Sequence, residues 1–144
     1  MQYRNFADLG SLGETAAKDY LQRRGYRVVV TNFTAPVGRG RTGRLITGEI
    51  DIVAYDPGGV LCFVEVKTRS SRRIAPELNV DLRKRRKIVR VARVYRRVRG
   101  LGEEAFRFDV ISVIALQNED LQIEHLKDYF SERVFQASHW LKKC

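Results

Sequence analysis

The sequence predicts an α/β fold, a mixed sheet of about five strands flanked by helices. Three observations predict it. Apolar residues recur at helical spacing in two segments, β-branched runs lie between and after them, and glycine or Asx-type turns bound most elements. At 144 residues, with 44% apolar and 31% charged side chains, the chain can fill one hydrophobic core. It reads as a single domain, 1–144, with a core spanning residues 10–130 and a C-terminal extension at 131–144.

Ser11-Leu-Gly-Glu14 has the S-x-x-E form of a capping box, which predicts a helix start at Ser11. Leu12, Ala16, Tyr20 and Leu21 follow at helical spacing, and Gly25 is a C-terminal stop. Tyr26 to Thr31 is β-branched and reads as a strand. Residues 34–48 hold Pro36, four glycines and three arginines, and read as a loop. Glu49 to Tyr55 and Val60 to Lys67 read as strands around Asp56-Pro-Gly-Gly59, a hairpin signal. A loop over 68–79 precedes a helix capped by Asp81 and running to Arg99, with Ile88, Val91, Ala92, Tyr95 and Val98 as its apolar stripe. Phe106 to Ile114 and Leu121 to Leu126 complete the strands, and the tail from Ser131 to Lys142 reads as weakly helical.

The formal charge of +10 is unevenly spread. Residues 69–100 carry thirteen Arg/Lys and two acids, whereas the rest of the chain carries fourteen basic and fifteen acidic groups. The excess therefore sits in one segment, chiefly the helix from Asp81, which bears ten Arg/Lys and no acid after Asp81. Such a helix repels itself unless an anion screens it, and arginine grips phosphate bidentately. A membrane-surface helix is the rival reading, weakened because the apolar stripe is needed for the core. No run approaches the roughly 20 apolar residues of a membrane span, and Met1-Gln-Tyr-Arg-Asn-Phe6 shows no secretory h-region. Two cysteines, Cys62 and Cys144, do not make a disulfide framework or a zinc site, so a reduced, cytoplasmic protein is expected.

The hairpin carries the chemistry. With a loop of three residues, Pro57 to Gly59, facing residue numbers sum to 116, so Asp51 faces Glu65 and Glu49 faces Lys67. Facing side chains lie about 5 Å apart. The opposite face, Ile50, Ile52, Ala54, Cys62, Val64 and Val66, is apolar, as are Val53, Tyr55, Leu61 and Phe63 toward the turn. Carboxylates so close repel unless a cation binds them. Mg²⁺ (or Mn²⁺) suits the need, since it takes one or two carboxylates and completes its shell with water and substrate phosphate. A nearby lysine can orient the attacking water or offset transition-state charge. Structural readings stand beside these. Glu14 can serve as a capping residue, and Glu49–Lys67 as a cross-strand ion pair. Asp109 can pair with a basic neighbour, His125 and His139 can pack or lie on the surface, and Cys62 reads as a core thiol.

A helix glutamate, a strand Asp and a Glu-x-Lys on the next strand resemble the PD-(D/E)xK nuclease superfamily, onto which Glu14, Asp51, Glu65 and Lys67 map. Ile50 stands where that superfamily's proline precedes the strand acid. Gly13-Glu-Thr-Ala-Ala17, Asn32, Gly48-Glu-Ile-Asp-Ile-Val-Ala54, Phe63-Val-Glu-Val-Lys67 with Arg69, Arg107-Phe-Asp-Val110 and Ile123-Glu-His125 are similar to the bacterial YraN-like family. The 34–48 segment is longer than the equivalent in that family, and the chain after Phe130 extends past its usual end. The resemblance implies a restriction-endonuclease-like fold, related to Holliday-junction resolvases, and a catalytic set of Glu14, Asp51, Glu65 and Lys67. Asp51 and Glu65 would hold metal, with Glu14 and Glu49 as further candidates. Arg69, Arg83, Lys84, Arg86, Lys87 and Arg90 would contact nucleic acid, DNA in preference to RNA, and resolvase relatives imply a homodimer by analogy. The expected function is Mg²⁺-dependent cleavage of DNA, including branched DNA. The alternatives are a binding module that keeps the nuclease fold without cutting and, ranked last, an interaction protein for acidic partners.

Overall fold

The structure, a computed structural model, describes residues 6–70, 80–116 and 119–133. Seven elements follow one another: α1 (Phe6–Arg23), β1 (Arg27–Arg39), β2 (Leu45–Tyr55), β3 (Leu61–Arg69), α2 (Leu82–Val98), β4 (Phe106–Ile114) and β5 (Gln122–Phe130). The strands form one sheet in sequence order, antiparallel except for the parallel β3–β4 pair. A parallel pair needs a long crossover, which the segment containing α2 supplies. This is the α/β mixed sheet expected, and it is consistent with a restriction-endonuclease-like fold.

Each helix covers one sheet face. Ala17 and Leu21 of α1 pack with Ile52, Ala54, Cys62, Val64, Ile111 and Val113. Ile88, Val89, Val91, Ala92 and Tyr95 of α2 pack with Val53, Leu61, Phe63, Phe108 and Val110 on the other face. Period-2 alternation in β2 and β3 thus sends successive side chains to two separate cores. Ile50 is the exception to the apolar face read from sequence, since it joins the α2-side core. In α2 the buried stripe includes Val89, whereas Val98 at the last turn is 69% exposed.

Three local signals behave as written. Asp81 caps α2, its side chain accepting from the Lys84 N–H at 2.9 Å. Gly25, at φ 84°, ends α1 in a Schellman turn, with Tyr26 N donating to Leu21 O and Gly25 N to Gln22 O. The Asp56 turn closes with Asp56 N on Val60 O, and β2–β3 pairing runs Ile52–Val64 to Tyr55–Leu61 in the expected register.

Two segments differ. Ser11 lies inside α1, which already includes Phe6, so the Ser11–Glu14 capping box does not form and Glu14 is a mid-helix residue. The 34–48 segment is no loop: β1 continues to Arg39 and β2 begins at Leu45, joined by a turn over 40–44. Pro36 fits because β1 is an edge strand, with a bulge next to it. Gly48 fits because a Cβ there would lie 2.6 Å from Val91 Cγ2, so a small residue lets α2 approach. Smaller shifts are that β3 runs on to Arg69 and β5 spans Gln122–Phe130. The tail helix expected at 131–142 falls almost wholly outside the described residues.

Gly13 sets the seat of α1. A Cβ there would sit 1.8 Å from Thr68 Oγ1, whereas one at Gly10 would meet nothing within 4 Å. Glycine inside a helix costs about 1 kcal/mol relative to alanine, so two opposite outcomes are expected. Gly10→Ala raises stability by up to about 1 kcal/mol, and Gly13→Ala lowers it by about 1–3 kcal/mol. Urea unfolding of the two variants checks both signs.

Candidate active site

The site forms where the sheet divides. Beyond Ile52–Val64 the β2–β3 pairing stops, while β1–β2 continues to Arg39–Leu45 and β3–β4 to Arg69–Ile114. β2 leaves with β1 and β3 leaves with β4. The Val66 N–H, which a longer ladder would have used, is taken by Asp51 Oδ2 at 2.8 Å. A carboxylate thus replaces a backbone carbonyl at the fork.

Side chains from five elements meet there. Glu14 comes from α1, Glu49 and Asp51 from β2, and Glu65 and Lys67 from β3. α2 adds Lys84, whose Nζ lies 2.5 Å from Glu65 Oε1. Carboxylate oxygens of Glu14, Glu49 and Asp51 lie within 4.8 Å of one another. Asn32 of β1 ties two of them together, its Nδ2 donating to Glu49 Oε1 at 2.8 Å and Glu14 Oε2 at 3.1 Å. Asn32 has φ 52°, a left-handed conformation that asparagine tolerates better than most residues.

The expected cross-strand pairs change accordingly. Glu49 bonds to Asn32, and Lys67 lies beside Lys84 and Glu65. Asp51 and Glu65 still meet, although the ladder ends before them. Glu65 is buried, at 5% exposure.

The electrostatics follow from burial and crowding. Burial, then the charge of Glu65, push the Asp51 carboxyl up to about 8, against the lowering effect of the Val66 N–H. Burial works against the charge on Lys84, but the Glu65 carboxylate outweighs it and holds Lys84 above its ordinary range. Burial and then the Lys84 charge hold Lys67 below the ordinary lysine range. The four acids supply hard oxygen donors, and the strained protonation of Asp51 is what a bound divalent cation would relieve.

A cleft of about 500 Å³ opens over this floor. It is lined by Thr34, Thr47 and Gly48 of the β1–β2 hairpin, by Arg83, Lys84, Lys87 and Ile88 of α2, and by Glu49, Asp51 and Glu65. Arg69, Arg86 and Arg90, also expected to contact nucleic acid, are not among the lining residues. Asn32 and the threonines were assigned no role from sequence. The signal for Asn32 was its type, since asparagine favours the left-handed conformation; the threonines carried none.

On the α1-facing side of the sheet, Asp109 accepts from Arg107 Nε, from the Asp128 N–H and from His125 Nε2 at 2.8 Å. Burial opposes its charge, yet these hydrogen bonds hold Asp109 below the usual carboxylate range. Arg107 also binds Asp56 and Tyr26, which ties the hairpin turn to β4. Asp109 and His125 are therefore structural, as expected, and Cys62 is a buried thiol that burial pushes up to about 12.

The model of the "Uncharacterised protein family UPF0102" matches residues 13–113, a span that contains every one of these site residues. The chain belongs to the UPF0102 family. A UPF0102 protein of Trichlorobacter lovleyi is 41% identical over 123 residues, covering 85% of this chain and 89% of its own. One of Chlorobaculum parvum is 42% identical over 130 residues, covering 85% and 91%. Among solved structures, that of SSO0001 matches with a TM-score of 0.45 at 14% identity, covering 96% of this chain, which spans 62% of that one. No helix among the described residues is long and apolar enough to cross a membrane.

The raised Asp51 pKa makes stability depend on pH. Between the ordinary carboxyl pKa and about 8 the folded chain holds a proton that the unfolded chain has released. That stabilisation is complete below the unfolded pKa and is lost as pH rises through about 8. Asp51→Asn keeps an acceptor for the Val66 N–H and removes the titration. In metal-free protein the variant is expected to match wild type near pH 4 and to exceed it by roughly 2–4 kcal/mol near pH 8. Thermal melts across that range check the sign.

Proposed function

We propose that this protein is a Mg²⁺- or Mn²⁺-dependent endonuclease that hydrolyses DNA phosphodiesters, with branched DNA as its substrate class. Asp51 carries this reading. Its carboxylate is held at the fork by the Val66 N–H, crowded by Glu65, and grouped with Glu14 and Glu49. Such a cluster is costly in a fold unless it does something.

The residues fit a hard divalent ion, with Asp51 and Glu65 as its principal ligands and Glu14 and Glu49 beside them. When bound, the ion would supply Lewis acidity to a phosphate oxygen and lower the pKa of a water. Lys67, held below the ordinary lysine range, is suited to orient that water and to exchange a proton with it. Asn32 restrains Glu14 and Glu49 by hydrogen bonding both. Arg83, Lys84 and Lys87 on the cleft wall would hold phosphates on either side of the scissile one, positioning the strand without reading its sequence.

A second reading has one specific observation behind it. Lys84 already neutralises Glu65, which a binding module without cutting activity could use to keep its acids quiet. Two measurements separate them. Mg²⁺ at about 100 times its Kd should stabilise wild type by about 2.7 kcal/mol and leave Asp51→Asn unmoved. Branched and linear DNA should be cut by wild type with Mg²⁺ or Mn²⁺, while Asp51→Asn and Lys67→Ala lose at least about 100-fold in kcat. DNA binding without metal-dependent cutting of any substrate would leave the binding module as the function.

A further inference from the structure

The segment that departs most from its expected form is the β1–β2 hairpin beyond the site. Its strands pair out to Arg39–Leu45, and the turn is closed by Gly40 N on Arg44 O and Arg39 Nη1 on Gly43 O. From Glu49 to Leu45 the strand climbs about 13 Å at roughly 3.3 Å per residue. Residues 34–48 contain Arg39, Arg41 and Arg44 and no acid at all. All three arginines are exposed.

The base of this arm is pinned. Gly48 packs so closely on α2 that a Cβ would strike Val91 and crowd Lys87. Ala35, its partner across the hairpin, is buried in the α2-side core. The arm therefore leaves the domain in a set direction relative to α2. Its lower part, Thr34, Thr47 and Gly48, lines the same cleft as Arg83, Lys84, Lys87 and the carboxylates.

We infer that the β1–β2 hairpin is a second nucleic-acid-binding arm, whose Arg39, Arg41 and Arg44 hold the phosphate backbone of a DNA duplex beyond the cleft that α2 and the base of the hairpin line together. The inference rests on the nuclease-like reading of the cleft and adds the partner's path across it. A strand with a phosphate over Asp51 meets the basic residues of α2 at the cleft, and the arm adds three arginines along the hairpin that leaves it. The acids are confined to the floor, where a cation would offset them. α2 alone would hold the backbone at the cleft; the arm extends that hold along the hairpin.

The test compares three proteins binding a short fluorescein-labelled DNA duplex and a labelled four-way DNA junction, by anisotropy over a range of salt concentrations without divalent metal. They are wild type, the triple variant Arg39→Ala/Arg41→Ala/Arg44→Ala, and the control Lys18→Ala/Arg23→Ala/Arg24→Ala. The control removes equal charge from α1 and the turn that ends it. The arm variant is expected to bind about 10- to 100-fold more weakly near physiological salt. Its slope of log affinity against log salt should be shallower by about two to three, since each phosphate contact contributes about 0.9. The control should lose little, and thermal melts should show all three folded.

Equal affinity and slope for wild type and the arm variant, with wild type binding DNA, would overturn the arm and leave the cleft reading standing. Equal losses in the arm variant and the control would overturn it too, by reducing the effect to net charge. The same titrations are run on a labelled RNA duplex of the same sequence, and a loss confined to the RNA would overturn the assignment to DNA. Wild type that binds no nucleic acid would remove the cleft reading and the arm together.

Discussion

The hydrogen bond from the Val66 N–H to Asp51 Oδ2 is the interaction on which the rest of the architecture turns. A sheet that divides must leave backbone donors and acceptors without partners, and a buried N–H left unpaired costs about 1–3 kcal/mol. Asp51 satisfies one of these donors from the departing strand. The same carboxylate is thereby fixed where it must share a small space with Glu65. Separation of the strands, satisfaction of the backbone and crowding of the acids are one event.

Around that fork the other elements act as supports. Gly13 lets α1 touch Thr68 of β3, which brings Glu14 next to Glu49 and Asp51. Gly48 lets α2 approach β2, which brings Lys84 to Glu65 and Lys87 to the cleft. Two missing side chains, one on each side of the sheet, therefore set the distances in the site. On the α1 face the Arg107, Asp109 and His125 cluster ties β4, β5 and the β2–β3 turn together. The β2–β3 hairpin is closed at its turn and opens beyond Ile52–Val64, and the acids lie where it opens.

The charge separation seen along the chain becomes spatial in the fold. α2 presents its apolar stripe to the core, and its Arg83, Lys84 and Lys87 line the cleft wall above a floor of carboxylates. Lys84 belongs to both groups, since it lines the wall and pairs with Glu65. That contact makes the basic helix and the acidic hairpin parts of one site.

Local rules made much of this legible. A three-residue turn set the register of β2 and β3, period-2 alternation brought Asp51, Glu65 and Lys67 to one face of the hairpin, and an Asx cap placed the start of α2. The family resemblance reached the same residues and also Glu14, whose role as a helix cap was the competing local reading. What local rules missed depends on residues distant in sequence. The glycines and proline of 34–48 have the composition of a loop, yet pairing with β2 and contact with α2 make most of the segment strand. The capping box was misread because S-x-x-E describes three intervals of chain and says nothing of the turn before it.

By itself, then, the sequence determined the order of elements, the hairpin register and the separation of charge into a basic helix and an acidic hairpin. These arise from periodicity, turn chemistry and composition within a few residues. Only the tertiary structure decided where β2 and β3 part, that Asn32 joins Glu14 to Glu49, that Lys84 neutralises Glu65, and that the hairpin rises beside the cleft. Each of those depends on the packing of two helices against opposite faces of one sheet, and no local pattern encodes a distance between residues that only the packed core brings together.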